Sequence, residues 1–192
     1  MNELLPIPDP NVALTAWVVV LIACVVGCVT DLRARRIPNL LTLPLWVTGL
    51  VFALVTHGFG GFAGAFAASI ILAVPYVILF IGAGGGAGDA KMMAGIGAWL
   101  GLSQGLYALV VIAMLGGVVG VIWSLCNGSA SVLFTKLRTA ITGAVGLAYG
   151  RLTPGECLAF LPTAGGSTRI PYGLAICFGA LAAYGGGLQW HA

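Results

Sequence analysis

Charge is what this sequence has least of. Only 7% of its 192 residues are charged, eight basic and five acidic. Soluble domains carry about 25% charged residues, so a surface facing water on all sides is excluded. The net charge of +3 is too small to imply a nucleic-acid partner. Cys24, Cys28, Cys126, Cys157 and Cys177 form no Cys-x-x-Cys pair, which removes a zinc ribbon and a disulfide framework. Cys24 and Cys28, four apart, read as small apolar packing residues. No basic residue precedes the first apolar run, so no cleavable-signal pattern is expected. Period-two alternation is missing from the apolar runs, which speaks against strands. No Gly-Lys-Ser/Thr follows the glycines and no strand precedes them, so neither a P-loop nor a dinucleotide fold is supported. No internal repeat is evident.

What is present is lipid-loving sequence: 60% of residues are hydrophobic, with a mean hydropathy of +1.08. Backbone polar groups in lipid must be satisfied within the chain, which makes helices the default spanning element. The expected fold is an all-α polytopic membrane protein, one membrane-embedded domain over residues 1–192. Six transmembrane helices are expected at about 12–30, 40–56, 62–81, 89–102, 104–126 and 170–186. Pro38 breaks the chain between the first two, where Asn39 is placed to cap the second. His57 to Gly61 reads as a turn, and Pro75 as a kink. The fourth run is short for a full crossing. Within 127–170, Val132, Leu133, Leu137, Ile141 and Val145 form a rough helical stripe, with Lys136 and Arg138 off it, as an interfacial cytoplasmic helix would have. Pro171, in the first turn of the last helix, sits where its missing N–H costs least.

Six crossings put the 31–39 loop, the glycine stretch and the 127–170 segment on one side. That side holds all eight Lys and Arg: Arg33, Arg35, Arg36, Lys91, Lys136, Arg138, Arg151 and Arg169. The other side holds Glu3, Asp9, His57, Gln104 and His191. By the positive-inside tendency the basic side is cytoplasmic and both termini lie outside the cytoplasm. Asp31, at the exit of the first run, and Asp89, at the start of the fourth, then fall at the same cytoplasmic depth.

Two carboxylates sharing a water can hydrolyse a peptide bond. One takes a proton from the water while the other donates to the scissile carbonyl oxygen. The pair titrates as a unit, so which one is the base stays open, although its place at a helix start makes Asp89 the better candidate. Gly82, Gly84, Gly85, Gly86 and Gly88 leave room for a substrate backbone beside Asp89. Each feature has a plainer counterpart. An aspartate at a membrane-helix end is commonly a solvated cap or the partner of a nearby arginine, and a Gly-rich turn is commonly only a turn.

Taken together, the two stretches resemble a known family. Asp31-Leu-Arg-Ala-Arg-Arg-Ile37-Pro38-Asn39 and Gly86-Ala-Gly88-Asp89-Ala-Lys91, continuing through Ala94, Gly97, Ala98, Trp99 and Gly101, are similar to the two motifs of the type IV prepilin peptidases. Those are membrane aspartic proteases of the Gly-x-Gly-Asp kind. Pro171-Tyr172-Gly173 resembles the short tight-adherence pilus branch, and the archaeal preflagellin peptidases are also similar. The resemblance implies that Asp31 and Asp89 are catalytic, with Gly86, Gly88, Lys91, Pro38 and Asn39 shaping the site or the substrate's path. It implies an enzyme of the inner membrane, working at its cytoplasmic border. There it would remove the basic leader from prepilins or pseudopilins, the lipid bilayer being its other partner. No cofactor and no metal are expected. Longer members carry a cytoplasmic insertion with two Cys-x-x-Cys pairs, associated with methylating the new amino terminus. Only Asp31 to Asn39 lies between the first two runs here, so methyl transfer and bound zinc are not expected. Glu156 could attract a basic leader, although a solvated loop residue is the plainer reading. Oligomeric state is left open.

Two other readings of the aspartates compete with this one. A presenilin-like protease would add a Tyr-Asp within a span and a Pro-Ala-Leu motif, and neither occurs. A non-enzymatic transporter or assembly subunit would use the aspartates as coupling or structural charges, with acids nearer mid-span and internal repeats. Serine proteolysis is disfavoured because His57 and His191 fall on the side opposite the aspartates.

Overall fold

The computed structural model describes residues 10–34, 36–83, 86–126 and 172–187. Every regular element among them is an α-helix: α1 (Pro10–Ala34), α2 (Asn39–Ala83), α3 (Ala87–Cys126) and α4 (Tyr172–Gly187). Helices α1, α2 and α3 are long and apolar enough to cross a membrane, and α4 is a shorter apolar helix. The expected interfacial helix, Glu156, Cys157, Pro171 and the glycines at 84 and 85 lie outside the described residues.

Helices α2 and α3 are each interrupted at one glycine. Gly58 has φ 66° and Gly101 has φ 70°, backbone angles that glycine reaches without the cost a Cβ imposes. The chain reverses at both. The ring centroids of Trp46 and Phe66 are 6.1 Å apart, whereas an unbroken helix would separate those positions by about 30 Å. In α3, Met92 packs at Gly27, while Gly116 lies against Tyr172, whose neighbour Gly173 meets Asp31. Both arms of α3 therefore come to the level of the α1 C-terminus, although an unbroken helix would hold residues 92 and 116 about 36 Å apart. The turn expected over His57 to Gly61 is condensed to the single residue Gly58. The backbone keeps helical angles through Pro75. Proline removes one helical hydrogen bond, but its fixed φ is itself helical.

Small residues set how closely the helices approach. The first arms of α2 and α3 run side by side in the same direction, with Gly88 against Ile37, Gly95 against Leu45, and Gly49 against Ala98 and Trp99. At Gly97 an added Cβ would lie 2.8 Å from the Ala68 carbonyl oxygen and 2.9 Å from Ser69 Cα, both backbone atoms. Lipid tails are as apolar as leucine, so helices in a bilayer associate through this close packing rather than by escaping the solvent. Helix α4 runs antiparallel to α1, from Gly173 beside Asp31 to Tyr184 beside Trp17. Val20, Leu72, Met92, Met93, Ile96, Ile112 and Ile176 are fully buried between the helices. Two indole N–H groups are partnered between helices: Trp17 donates to Gln104 at 2.9 Å and Trp99 to the Leu45 carbonyl at 2.8 Å. The outside is apolar. Leu40, Val55, Phe59 and Met114 are each more than two-thirds exposed, a surface that suits lipid and not water.

Candidate active site

Asp31 belongs to the last turn and a half of α1 and is half-buried. Its position is held from another helix. The backbone N–H of Gly173 donates to Asp31 Oδ2 at 2.8 Å. Gly173 is the second residue of α4, so this amide is one that has no partner within its own helix. A first-turn N–H pointing at a carboxylate is favourable by hydrogen bonding and by the helix dipole together. Gly173 also has to be small, because a Cβ there would lie 2.9 Å from Asp31 Cβ and 3.0 Å from Oδ2.

Asp89 sits in the first turn of α3, with its N–H donating to the Gly86 carbonyl at 3.1 Å. Its side chain folds back over that turn. A Cβ on Gly86 would lie 2.8 Å from Asp89 Oδ2 and 3.3 Å from Cγ. Asp89 is half-buried too, and Met92, about one turn further on, packs at Gly27, about one turn before Asp31. Two acids far apart in the sequence thus lie at the same end of the bundle, where α1, α3 and α4 meet.

The remaining motif residues form the frame of this site. Gly88 lets the start of α3 press on Ile37, where an added Cβ would come within 2.9 Å of the isoleucine Cβ. Lys91 Nζ donates to Asn39 Oδ1 at 2.8 Å, joining the two motifs across the surface. Asn39 is therefore not the cap that its position suggests. The first free amides of α2 are taken by the Pro38 carbonyl, from Leu41 at 3.0 Å and Thr42 at 3.4 Å, which leaves the Asn39 amide group for Lys91. A cavity of about 370 Å³ runs beside this turn, lined by Thr30, Ala34, Arg36, Ile37, Pro38 and Asn39.

Two tyrosines join the site, Tyr172 from the Pro171-Tyr172-Gly173 motif and Tyr76 from outside every motif. Tyr76 of α2 and Tyr172 of α4 meet edge to face, ring centroids 6.0 Å apart. Tyr172 directly precedes Gly173, whose amide holds Asp31. The Tyr76 hydroxyl is buried and has no hydrogen-bond partner among the described residues. Its sequence signal was a phenol inside a long apolar run, where a polar atom needs a reason. Cys24, Cys28 and Cys177 are free and buried nearby. No group of His, Cys, Asp or Glu among the described residues is arranged to hold a metal ion.

Comparison with known proteins bears on this arrangement. The model of the type IV leader peptidase family matches residues 18–125, which contain both aspartates and their motifs. A prepilin leader peptidase/N-methyltransferase of Xanthomonas campestris pv. campestris is 34% identical over 108 residues. The alignment covers 51% of this chain and 36% of that relative, so the chain spans little more than a third of the relative's length. No solved structure matches the chain.

Proposed function

The chain belongs to the type IV leader peptidase family, and from that premise we propose that it is a membrane aspartic endopeptidase. It cuts the basic leader from prepilins or pseudopilins at the cytoplasmic border of the membrane. The observation that carries this reading is the placement of Asp31 and Asp89 at one end of the bundle, one held by the α4 N-terminus and the other at the head of α3.

The chemistry follows from two carboxylates and one water. The ionised aspartate takes a proton from the water as its oxygen attacks the scissile carbonyl carbon. The protonated aspartate gives its proton to the carbonyl oxygen, and a neutral gem-diol results. Collapse breaks the C–N bond, with the proton returning through the same pair to the departing amine. Close like charges resist joint ionisation, which keeps one proton on the pair. A scissile bond at the membrane border suits a substrate with a basic segment in the cytoplasm and an apolar helix in the bilayer.

The topology in this reading is six crossings, with both termini outside the cytoplasm. The reversals at Gly58 and Gly101 support it, because they divide two long helices into four arms. Within it, Asp31, Arg36, Asn39, Asp89 and Lys91 share the basic, cytoplasmic side.

Co-expression with a prepilin tests the proposal by the size of the product. Asp31→Asn and Asp89→Asn should each abolish processing while the protein remains in the membrane at its normal level. Cleavage at a normal rate by either variant would show that the pair is not the catalytic centre. No cleavage of the prepilin by the parent protein itself would return the aspartates to a structural or transport role.

A further inference from the structure

An apolar groove runs along the lipid-facing side of the bundle. The two arms of α2 touch at Trp46 and Phe66, ring centroids 6.1 Å apart. At that contact begins a groove of about 370 Å³, whose lining includes Trp46, Ser69, Ala73, Val77, Ile78 and Ala94 of α3. Ala73, Val77 and Ile78 lie between Phe66 and the end of α2 at Ala83. The groove therefore extends from the aromatic contact toward the end of the bundle that carries the aspartates. Its one hydroxyl is already bonded, Ser69 donating to the Phe66 carbonyl at 2.7 Å. An occupant must be hydrocarbon along the whole length, because a polar group there would find no partner. An α-helix about 10 Å across fills about 420 Å³ in each turn, so the space takes a flexible hydrocarbon chain and not a helix.

The end of the groove nearest the aspartates is basic. Lys91 is three positions before Ala94 on α3, and Asn39 is seven positions before Trp46 on α2. Both spacings keep the two residues on one face of their helix. The Lys91–Asn39 hydrogen bond of 2.8 Å thus stands at the head of the groove, over the α3 side and one wall. Asn39 takes one of the three ammonium hydrogens, and two remain for another acceptor. Arg36, three positions before Asn39 and exposed, adds a second cation at that end. Leu40 and Leu43 beside it are 89% and 62% exposed, so bare hydrocarbon and positive charge meet there.

We propose that this groove holds an anionic phospholipid, one acyl chain lying between the arms of α2 and the phosphate accepting from Lys91. The apolar length selects a chain and the basic head selects the charge. A zwitterionic headgroup would bring its own cation to the two already there, which an anionic one does not. The site goes beyond the peptidase reading and uses neither aspartate, so it stands whether or not the chain cleaves a prepilin.

Competition between two lipids tests it. The full chain, purified in detergent micelles, is offered phosphatidylglycerol and phosphatidylcholine with the same acyl chains, and the lipid retained on the protein is counted by native mass spectrometry. The parent should retain phosphatidylglycerol over phosphatidylcholine by about 5- to 30-fold, the attraction of one or two cations near a membrane surface. Lys91→Met should lower that preference by about fivefold. Ala73→Phe, which fills the groove, should release the retained lipid of either kind. Equal retention of the two lipids by the parent overturns the proposal, since lipid then only coats the apolar surface. So does a preference that Lys91→Met leaves unchanged, or retained lipid that survives in a folded Ala73→Phe protein. A dimer that Ala73→Phe separates would make the groove the seat of a second copy of the chain, and overturns it too. Lys91→Met, at the surface, decides the matter alone if Ala73→Phe does not fold.

Discussion

The two motif segments approach the site in opposite ways. Asp31 is held at long range, by an amide 142 positions further along the chain. Asp89 is arranged locally, its amide and its side chain both turned toward Gly86, three positions earlier. One acid thus depends on helix α4 being docked, and the other on the backbone of its own turn. Long-range support fixes a group only as firmly as two helices are packed, and here a glycine makes that packing tight. Local support survives small shifts between helices but leaves the side chain free to rotate.

The sharpest test of this contrast is Gly173→Ala. The added methyl meets Asp31 at Cβ, 2.9 Å away, next to the backbone and with no soft torsion to relieve it. Helix α4 or the α1 C-terminus must give way, and the Gly173 amide moves off the carboxylate. Displacing a catalytic group by about 1 Å can lower a rate by about 100-fold, and that is the expected loss of processing. Measured in the same micelles, the protein should still fold, because the clash is confined to one contact. Processing within twofold of the parent would mean that α4 does not position Asp31.

Gly86→Ala probes the local support and should cost less. Its methyl would meet Asp89 Oδ2 at 2.8 Å, the far end of a side chain that can swing aside. Shifting a side chain off its preferred rotamer costs about 0.5–1.5 kcal/mol, so a rate loss of roughly tenfold or less is expected. A loss as large as that of Gly173→Ala would erase the distinction between the two supports.

This difference also separates what was legible in the sequence from what was not. The break at Pro38, the apolar runs and the placing of Asp31 and Asp89 at one end of the bundle could be read from local signals and from the sorting of basic residues. Their physical causes act over short stretches: a missing amide, a run of side chains that tolerates lipid, a charge left in a loop. The Gly173 amide on Asp31 could not be read, because it exists only once α1 and α4 have packed antiparallel. Pro171-Tyr172-Gly173 was noticed as a pattern, but the reason for its glycine is a contact with another helix. Tyr76 is illegible for the same reason, since a phenol in an apolar run declares itself only by its neighbours. Gly58 and Gly101 stood among many glycines, and nothing local says which of them carries a positive φ.

The smallest expected effect belongs to the one polar tie between the two motif segments. Lys91 Nζ donates to Asn39 Oδ1 at 2.8 Å, and both residues are exposed. Water competes for both groups, so such a bond contributes about 1 kcal/mol or less. Lys91→Met should therefore lower the processing rate only a few-fold, through a looser junction between the start of α2 and the start of α3. Asn39→Ala should do the same, and the double variant should be no worse than either single one, because both remove the same bond. If the two losses multiply instead, Lys91 acts on something other than Asn39. Its ammonium, on the cytoplasmic face beside Asp89 in the proposed topology, would then belong with the chemistry and not with the frame.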